Sequence, residues 1–182
     1  RIGISKGSGQ SGHVKLILKA MAAELSEVSL INTQTAAAMS DKFCEGKIDV
    51  LIQAIAHPSD YYSELLENCD ARFLSLDKKE IQNVKTHNKF TEGSKISLKA
   101  YKNQSGIFST YSHQAILITT KFLPERTGQA VIDSITENFE QFFSIHPALS
   151  PFEPEQLLLR TTSVPIHRGA RDFQDILQSL GE

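Results

Sequence analysis

The chain of 182 residues contains no tryptophan, two cysteines, two methionines and six prolines. It has no run of 18 apolar residues, which excludes a helical membrane span of ordinary length. Neither charge is in excess. With 19 basic and 21 acidic residues the formal net charge is −2, so there is no electrostatic reason to expect nucleic acid or an anionic membrane surface as a partner. The six histidines, at 13, 57, 87, 113, 146 and 167, show no H-E-x-x-H or other ligand spacing, and neither cysteine sits in a C-x-x-C. No metal site and no cofactor is expected. An initiating Met and a signal segment are missing as well, and the chain, which opens directly in a core strand, reads as a fragment. What remains is the composition of a globular α/β protein, 40% hydrophobic and 22% charged, long enough to bury a sizeable core in one domain or two small ones.

The first two dozen residues organise that core. An apolar run, Ile2-Gly3-Ile4, stops at a glycine-rich turn, Gly7-Ser8-Gly9-Gln10-Ser11-Gly12, which opens into a helix whose Val14, Ile17, Leu18, Met21 and Leu25 share one face. A strand that feeds a helix through glycines aims free backbone N–H groups and the positive end of the helix dipole at whatever lies above the turn. Three readings of the turn stay open: a site for a small carboxylate or similar anion, a nucleotide-phosphate site, or a purely structural tight turn. The spacing Gly7-x-Gly9-x-x-Gly12 satisfies the dinucleotide fingerprint, but the second strand, Val28–Ile31, ends at Asn32 where that fingerprint wants an acid. A phosphate loop would need Lys and then Ser or Thr where His13-Val14 stand, and Gly9-Gln10-Ser11-Gly12-His13 lacks the last glycine of a nucleophile elbow.

Further along, Thr33 or Thr35 caps a second helix carrying Ala36, Met39, Phe43 and Cys44, and Gly46 ends it. Ile48–Ile55 is apolar enough for a central parallel strand, a third helix begins at Pro58 or Ser59, and Ala71–Leu74 makes a fourth strand. Strand, helix, strand, helix, strand implies a parallel sheet with right-handed crossovers, whose ligands sit above the carboxyl ends of the strands. The Gly7–Gly12 turn and the loop carrying His57 both belong there, and His57 is a candidate ligand donor. Each cysteine precedes one of these strands, so Cys44 and Cys69 lie toward one sheet edge. A disulfide between them is conceivable, and two half-buried thiols is the preferred reading. Residues 86–105 turn polar and mark a lobe boundary. Beyond it come strands at Ile107–Tyr111 and Gln114–Thr119, a long helix from Pro124 with the stripe Val131, Ile135, Phe139 and Phe142, and two short helices near 155–159 and 168–180.

A colinear set of segments carries a family resemblance. It comprises Gly7-Ser8-Gly9, Gly46-Lys47-Ile48-Asp49, His57-Pro58, Cys69–Asp77, Tyr101 with Gln104, Leu123-Pro124-Glu125, His146-Pro147-Ala148 and Pro165–Ala170. The order resembles the TAXI family of solute receptors, the extracytoplasmic binding subunits of TRAP-type secondary transporters, over essentially the whole chain. The resemblance implies a type 2 periplasmic-binding-protein-like α/β fold: residues 1–105 as a complete lobe with the anion-binding turn, 106–182 as the returning part of the other lobe. It implies a non-enzymatic, periplasmic or otherwise extracytoplasmic receptor for a small organic acid or amino acid, which it delivers to membrane permease subunits. The implied ligand contacts are Gly7, Ser8, Gly9, Gln10, Ser11, His57, Tyr101 and Gln104. The opening half of the first lobe is absent by this comparison, so weak binding by the chain alone and homo-oligomers formed through the uncovered apolar surface are expected. Ser5-Lys6, Gln10 and Lys102 depart from the family pattern. Two other functions remain to be distinguished: a nucleotide-binding α/β enzyme or regulator using the Gly-x-Gly-x-x-Gly turn, and a ligand-sensing module of a membrane receptor.

Overall fold

A computed structural model describes residues 1–5, 9–149 and 165–170. Their elements are β1 (Ile2–Ser5), α1 (Gln10–Ala20), β2 (Leu30–Thr33), α2 (Ala36–Cys44), β3 (Val50–Leu51), α3 (Asp60–Asn68), α4 (Lys78–His87), β4 (Thr91–Ser97), β5 (Ile107–His113), α5 (Glu125–Thr136) and α6 (Phe139–Ser144). The chain divides into two compact units, Arg1–Ala115 and Ile116–Glu182. The division falls later than the expected 105/106 boundary because β4 and β5 form one antiparallel hairpin, from Thr91 opposite His113 to Ser97 opposite Ile107, which a cut at 105 would sever.

In the first unit β1 is the central strand of a three-stranded parallel sheet ordered β2-β1-β3, with Ile2 opposite both Leu30 and Val50. Ile2 and Ile4 are buried with Val14 and Leu18 of α1, and burial of each such side chain is worth about 1.5–3 kcal/mol. Gly3 stands between them because a Cβ there would lie 2.8 Å from Leu51 Cδ2 and 3.0 Å from Ile48 Cδ1. The apolar run 48–55 is therefore an edge strand and not the central one. Only Val50 and Leu51 join the ladder, while Ile48 packs down over Gly3.

Helix α1 ends sooner than its apolar periodicity. Ala22 takes φ 55°, Ala23 N–H reaches Leu18 O at 2.8 Å and Ala22 N–H reaches Lys19 O at 3.2 Å, a six-to-one and five-to-two closure that turns the chain away. Met21 is left half-exposed and Leu25 begins a separate short turn. Helix α2 behaves as read: Thr35 Oγ1 accepts from Ala38 N–H at 3.1 Å, and Gly46, at φ 68°, closes the C-terminus with Lys47 N–H on Lys42 O at 2.8 Å. Cys44 and Cys69 are joined in a disulfide that links the end of α2 to the end of α3, in place of the two thiols preferred from sequence. Closing a loop of this length restricts the unfolded chain by about 3–4 kcal/mol.

Ala71–Leu74 is not a strand. Leu76 N–H instead donates to Ser109 O at 2.9 Å and Ser109 N–H to Ser75 Oγ at 3.1 Å, which ties the segment to β5 at its end and turns Phe73 inward among aromatic rings. Helix α4, which the polar composition concealed, is set by a capping box: Asp77 accepts from Glu80 N–H, and Glu80 accepts from Asp77 N–H, both at 2.7 Å.

In the second unit the expected single long helix is two. Asn138 leaves helical geometry at φ −127°, ψ 37°, and its side chain donates back to Ser134 O at 2.9 Å, so a side-chain bond competes with continuation of the backbone ladder. Beyond the break Phe139 and Phe143 stack at 5.7 Å. The segment 114–119, read as a strand, has no pairing partner among the described residues, and Leu117 and Ile118 are exposed. Residues 168–170 form a single 3-10 turn, while the helix near 155–159 and the remainder of 168–180 lie outside the described residues. His167 anchors this turn, accepting from Gly169 N–H at its Nδ1 (3.2 Å), which leaves Nε2–H to donate to Leu123 O at 3.1 Å. Among the described residues no helix is long and apolar enough to cross a membrane.

Two substitutions test this packing. Ala22→Gly relieves a left-handed alanine and is expected to raise stability by about 0.5–1 kcal/mol, read as an increased urea midpoint; an unchanged or lowered midpoint would contradict the closure described. At Gly169 a Cβ would lie 2.5 Å from both Gln129 N and Glu125 O, backbone atoms of α5 that cannot yield. Gly169→Ala is therefore expected to destabilise by about 1–3 kcal/mol in the same assay, and neutrality would mean that the turn does not seat on α5.

Candidate functional site

The order β2-β1-β3 sets the carboxyl ends of β1 and β3 side by side in parallel, and α/β sheets hold ligands above the carboxyl ends of their strands. From the end of β1 the chain runs through the glycine turn into α1, and from the end of β3 it runs through residues 52–59, including His57, into α3.

Gly7 and Ser8 lie outside the described residues. Gly9 occupies the N-cap of α1 with ordinary helical angles, φ −68°, ψ −2°, and a Cβ on Gly9 or Gly12 would meet no atom within 4 Å. Glycine is thus not required here by backbone strain; what its absence of a side chain leaves is open space over the first turn. Gln10 ties the helix back to the sheet, its Oε1 accepting from Ser5 N–H at 2.5 Å. Ser11 is exposed on the same turn.

His57 precedes a cis peptide to Pro58 and sits on a ring cluster. It stacks on Tyr62 at 5.6 Å and meets Phe73, Tyr101 and Phe108 at 5.9–6.4 Å. Tyr101, 2% exposed, has its hydroxyl fully used: it accepts from Ser59 N–H at 3.1 Å, which leaves its own proton for His57 Nδ1 at 2.6 Å. The structure thus brings His57 and Tyr101 together, with Tyr101 as the buried group that orients the imidazole and not as an open wall. Gln104 follows in the next turn, donating its N–H to Tyr101 O at 3.2 Å. Burial pushes the His57 imidazole below its ordinary range and the Tyr101 phenol above its own, and it raises Tyr62 further, with Tyr61 and Tyr101 adding to that shift.

Sequence reasoning overlooked a second ring group. His13, on α1, hydrogen-bonds through Nδ1 to the Tyr111 hydroxyl at 3.0 Å and meets His113 edge-on at 5.0 Å. Burial, and then the nearby His113, push His13 down, and burial raises Tyr111 to about 12. The signal was present in the alternation of β5, where Tyr111 and His113 point to one side. These residues border a groove of about 450 Å³ that opens beside Gly9 and Gly12. Among the described residues no cluster of His, Cys, Asp or Glu could hold a metal ion.

The His57 environment fixes a pH dependence. Because burial disfavours the imidazolium, the unfolded chain takes up a proton at higher pH than the folded one, so this contribution to stability is complete above the ordinary histidine range and declines as the pH falls through it. The urea midpoint is expected to drop from about pH 7.5 to about pH 5, and by less in His57→Gln. An equal drop in both proteins would remove His57 from the effect.

A family model described as the NMT1-like family matches residues 2–174. No curated protein matches the chain. The mixed α/β architecture with its parallel sheet is compatible with a periplasmic-binding-protein-like fold. On a match of this extent the chain belongs to the NMT1-like family, a periplasmic-binding-protein-like family with a general solute-binding role.

Proposed function

We propose that the chain is the larger part of a type 2, TAXI-like extracytoplasmic receptor that binds a small organic acid or amino acid and passes it to the membrane subunits of a TRAP-type transporter. The observation that supports this reading is the adjacency of β1 and β3, whose carboxyl ends lead into the α1 turn and the His57 loop respectively. The first-turn N–H groups of α1, with Ser8, Gln10 and Ser11 as side-chain neighbours, would hold a carboxylate, and the open space over Gly9 and Gly12 admits it without displacing protein atoms. His57 forms the opposite side, its ring direction set by Tyr101, while Gln104 and Tyr101 act through His57. The Cys44–Cys69 disulfide suits an oxidising compartment. Neither Asn32 nor Thr33, at the end of β2, supplies the acid a dinucleotide site needs, which favours the receptor over a nucleotide enzyme.

The test is a titration of the chain with glutamate, succinate and pyruvate, followed by amide chemical shifts so that millimolar affinities register. At least one acid should shift the α1 first-turn amides. Gly9→Val, whose side chain fits without backbone strain, should weaken it by about tenfold or more, equivalent to about 1.4 kcal/mol, with little change in melting temperature. Parent-like affinity in Gly9→Val, or no response to any acid, would overturn the site.

A further inference from the structure

The groove along the flank of α1 carries a charge pattern that the receptor reading does not use. Lys15 and Lys19, one helical turn apart, stand on one side; His87, at the end of α4, and His113, at the end of β5, stand on the others, with His13 between. Five basic groups from three elements thus border about 450 Å³, a volume suited to a small molecule, and among the described residues no aspartate or glutamate lines it. A zwitterionic ligand would find no carboxylate here for its ammonium group.

The kinds of base present are informative. Among the described residues no arginine lines the groove to offer the planar fork that matches a carboxylate in two parallel bonds, whereas the ammonium and imidazole groups present are point donors that converge from several directions. His87 Nδ1–H is committed to Asn83 O at 2.8 Å and His13 Nδ1 to Tyr111 at 3.0 Å, which leaves Nε2 as the free nitrogen of each ring to take or give a proton.

We propose that this groove binds a tetrahedral oxyanion, a phosphate or the phosphate group of a small monoester, between Lys15, Lys19 and the three histidines. The site goes beyond the carboxylate held by the first-turn backbone, since it depends on side chains and not on the α1 N–H groups. Both lysines are exposed, so removing them should leave folding intact.

The experiment titrates the full chain with sodium sulfate, inorganic phosphate, glycerol phosphate and succinate, reading affinity by calorimetry or amide shifts. Sulfate and phosphate are expected to bind. Lys15→Gln and Lys19→Gln should each weaken both by roughly two- to fivefold with an unchanged melting temperature. Glycerol phosphate binding more tightly than phosphate would identify a monoester ligand, and the reverse order free phosphate. The proposal fails if sulfate and phosphate do not bind, if the lysine variants bind them like the parent, or if succinate loses as much as sulfate, which would make the groove a general anionic counter-surface. Gly9 borders the groove as well as the first turn, so the lysine variants, which leave the α1 first-turn amides in place, separate the two sites: loss of sulfate with succinate retained concerns the groove alone, and loss of the acid-induced shifts of the first-turn amides concerns the carboxylate site.

Discussion

A four-residue strand buried on both faces must satisfy its backbone amides within the protein, and β1 does so by lying between β2 and β3 in parallel register, with Ser5 N–H taken by Gln10 Oε1. The first unit depends on that arrangement. Ile2 and Ile4 can reach Val14 and Leu18 only while the sheet holds β1 in place, and Gly3 can stay bare only because Ile48 and Leu51 fill the space above it. At the far end of the strand, Arg1 clamps Asp49 through Nη2 at 2.6 Å and Nε at 3.0 Å, holding that carboxyl well below the usual carboxylate range. The pairing that builds the core also sets the turn and the His57 loop at one edge.

Much of this was legible in the chain. Thr35 and Gly46 marked helix ends through chemistry that acts within a few residues, and the structure uses both at the expected place, while Ser59 stands at the N-cap of α3 without a side-chain capping bond. Apolar runs were less reliable. Residues 48–55 and 71–74 are hydrophobic enough for central strands, but hydrophobicity does not say whether an apolar side chain packs within a ladder or over one; Ile48 covers Gly3, and Phe73 joins a ring cluster. Helix α4 escaped notice for the opposite reason, since its interior is largely polar and its one deeply buried residue is Val84, although Asp77-x-x-Glu80 announced its start.

The candidate site was legible as positions more than as roles. The Gly9–Ser11 turn and His57 were recognisable from local pattern, yet nothing local indicates that Tyr101, 44 residues from His57, would use its hydroxyl for His57 and Ser59. The His13–Tyr111 contact spans 98 residues and was equally out of reach. Long-range polar partners depend on how the β4–β5 hairpin folds against the helices, and no short window of sequence carries that information.

The Cys44–Cys69 bond encloses β3, the His57 loop and α3 in one covalent ring. A protease that cut the exposed backbone inside the ring, at Ala54 to Ala56 for instance, would leave the two ends fastened together. The nicked molecule would travel as a single piece until a reductant opened it. In a compartment rich in proteases and poor in thiols, that ring lets the His57 loop carry exposed backbone without putting the integrity of the chain at stake.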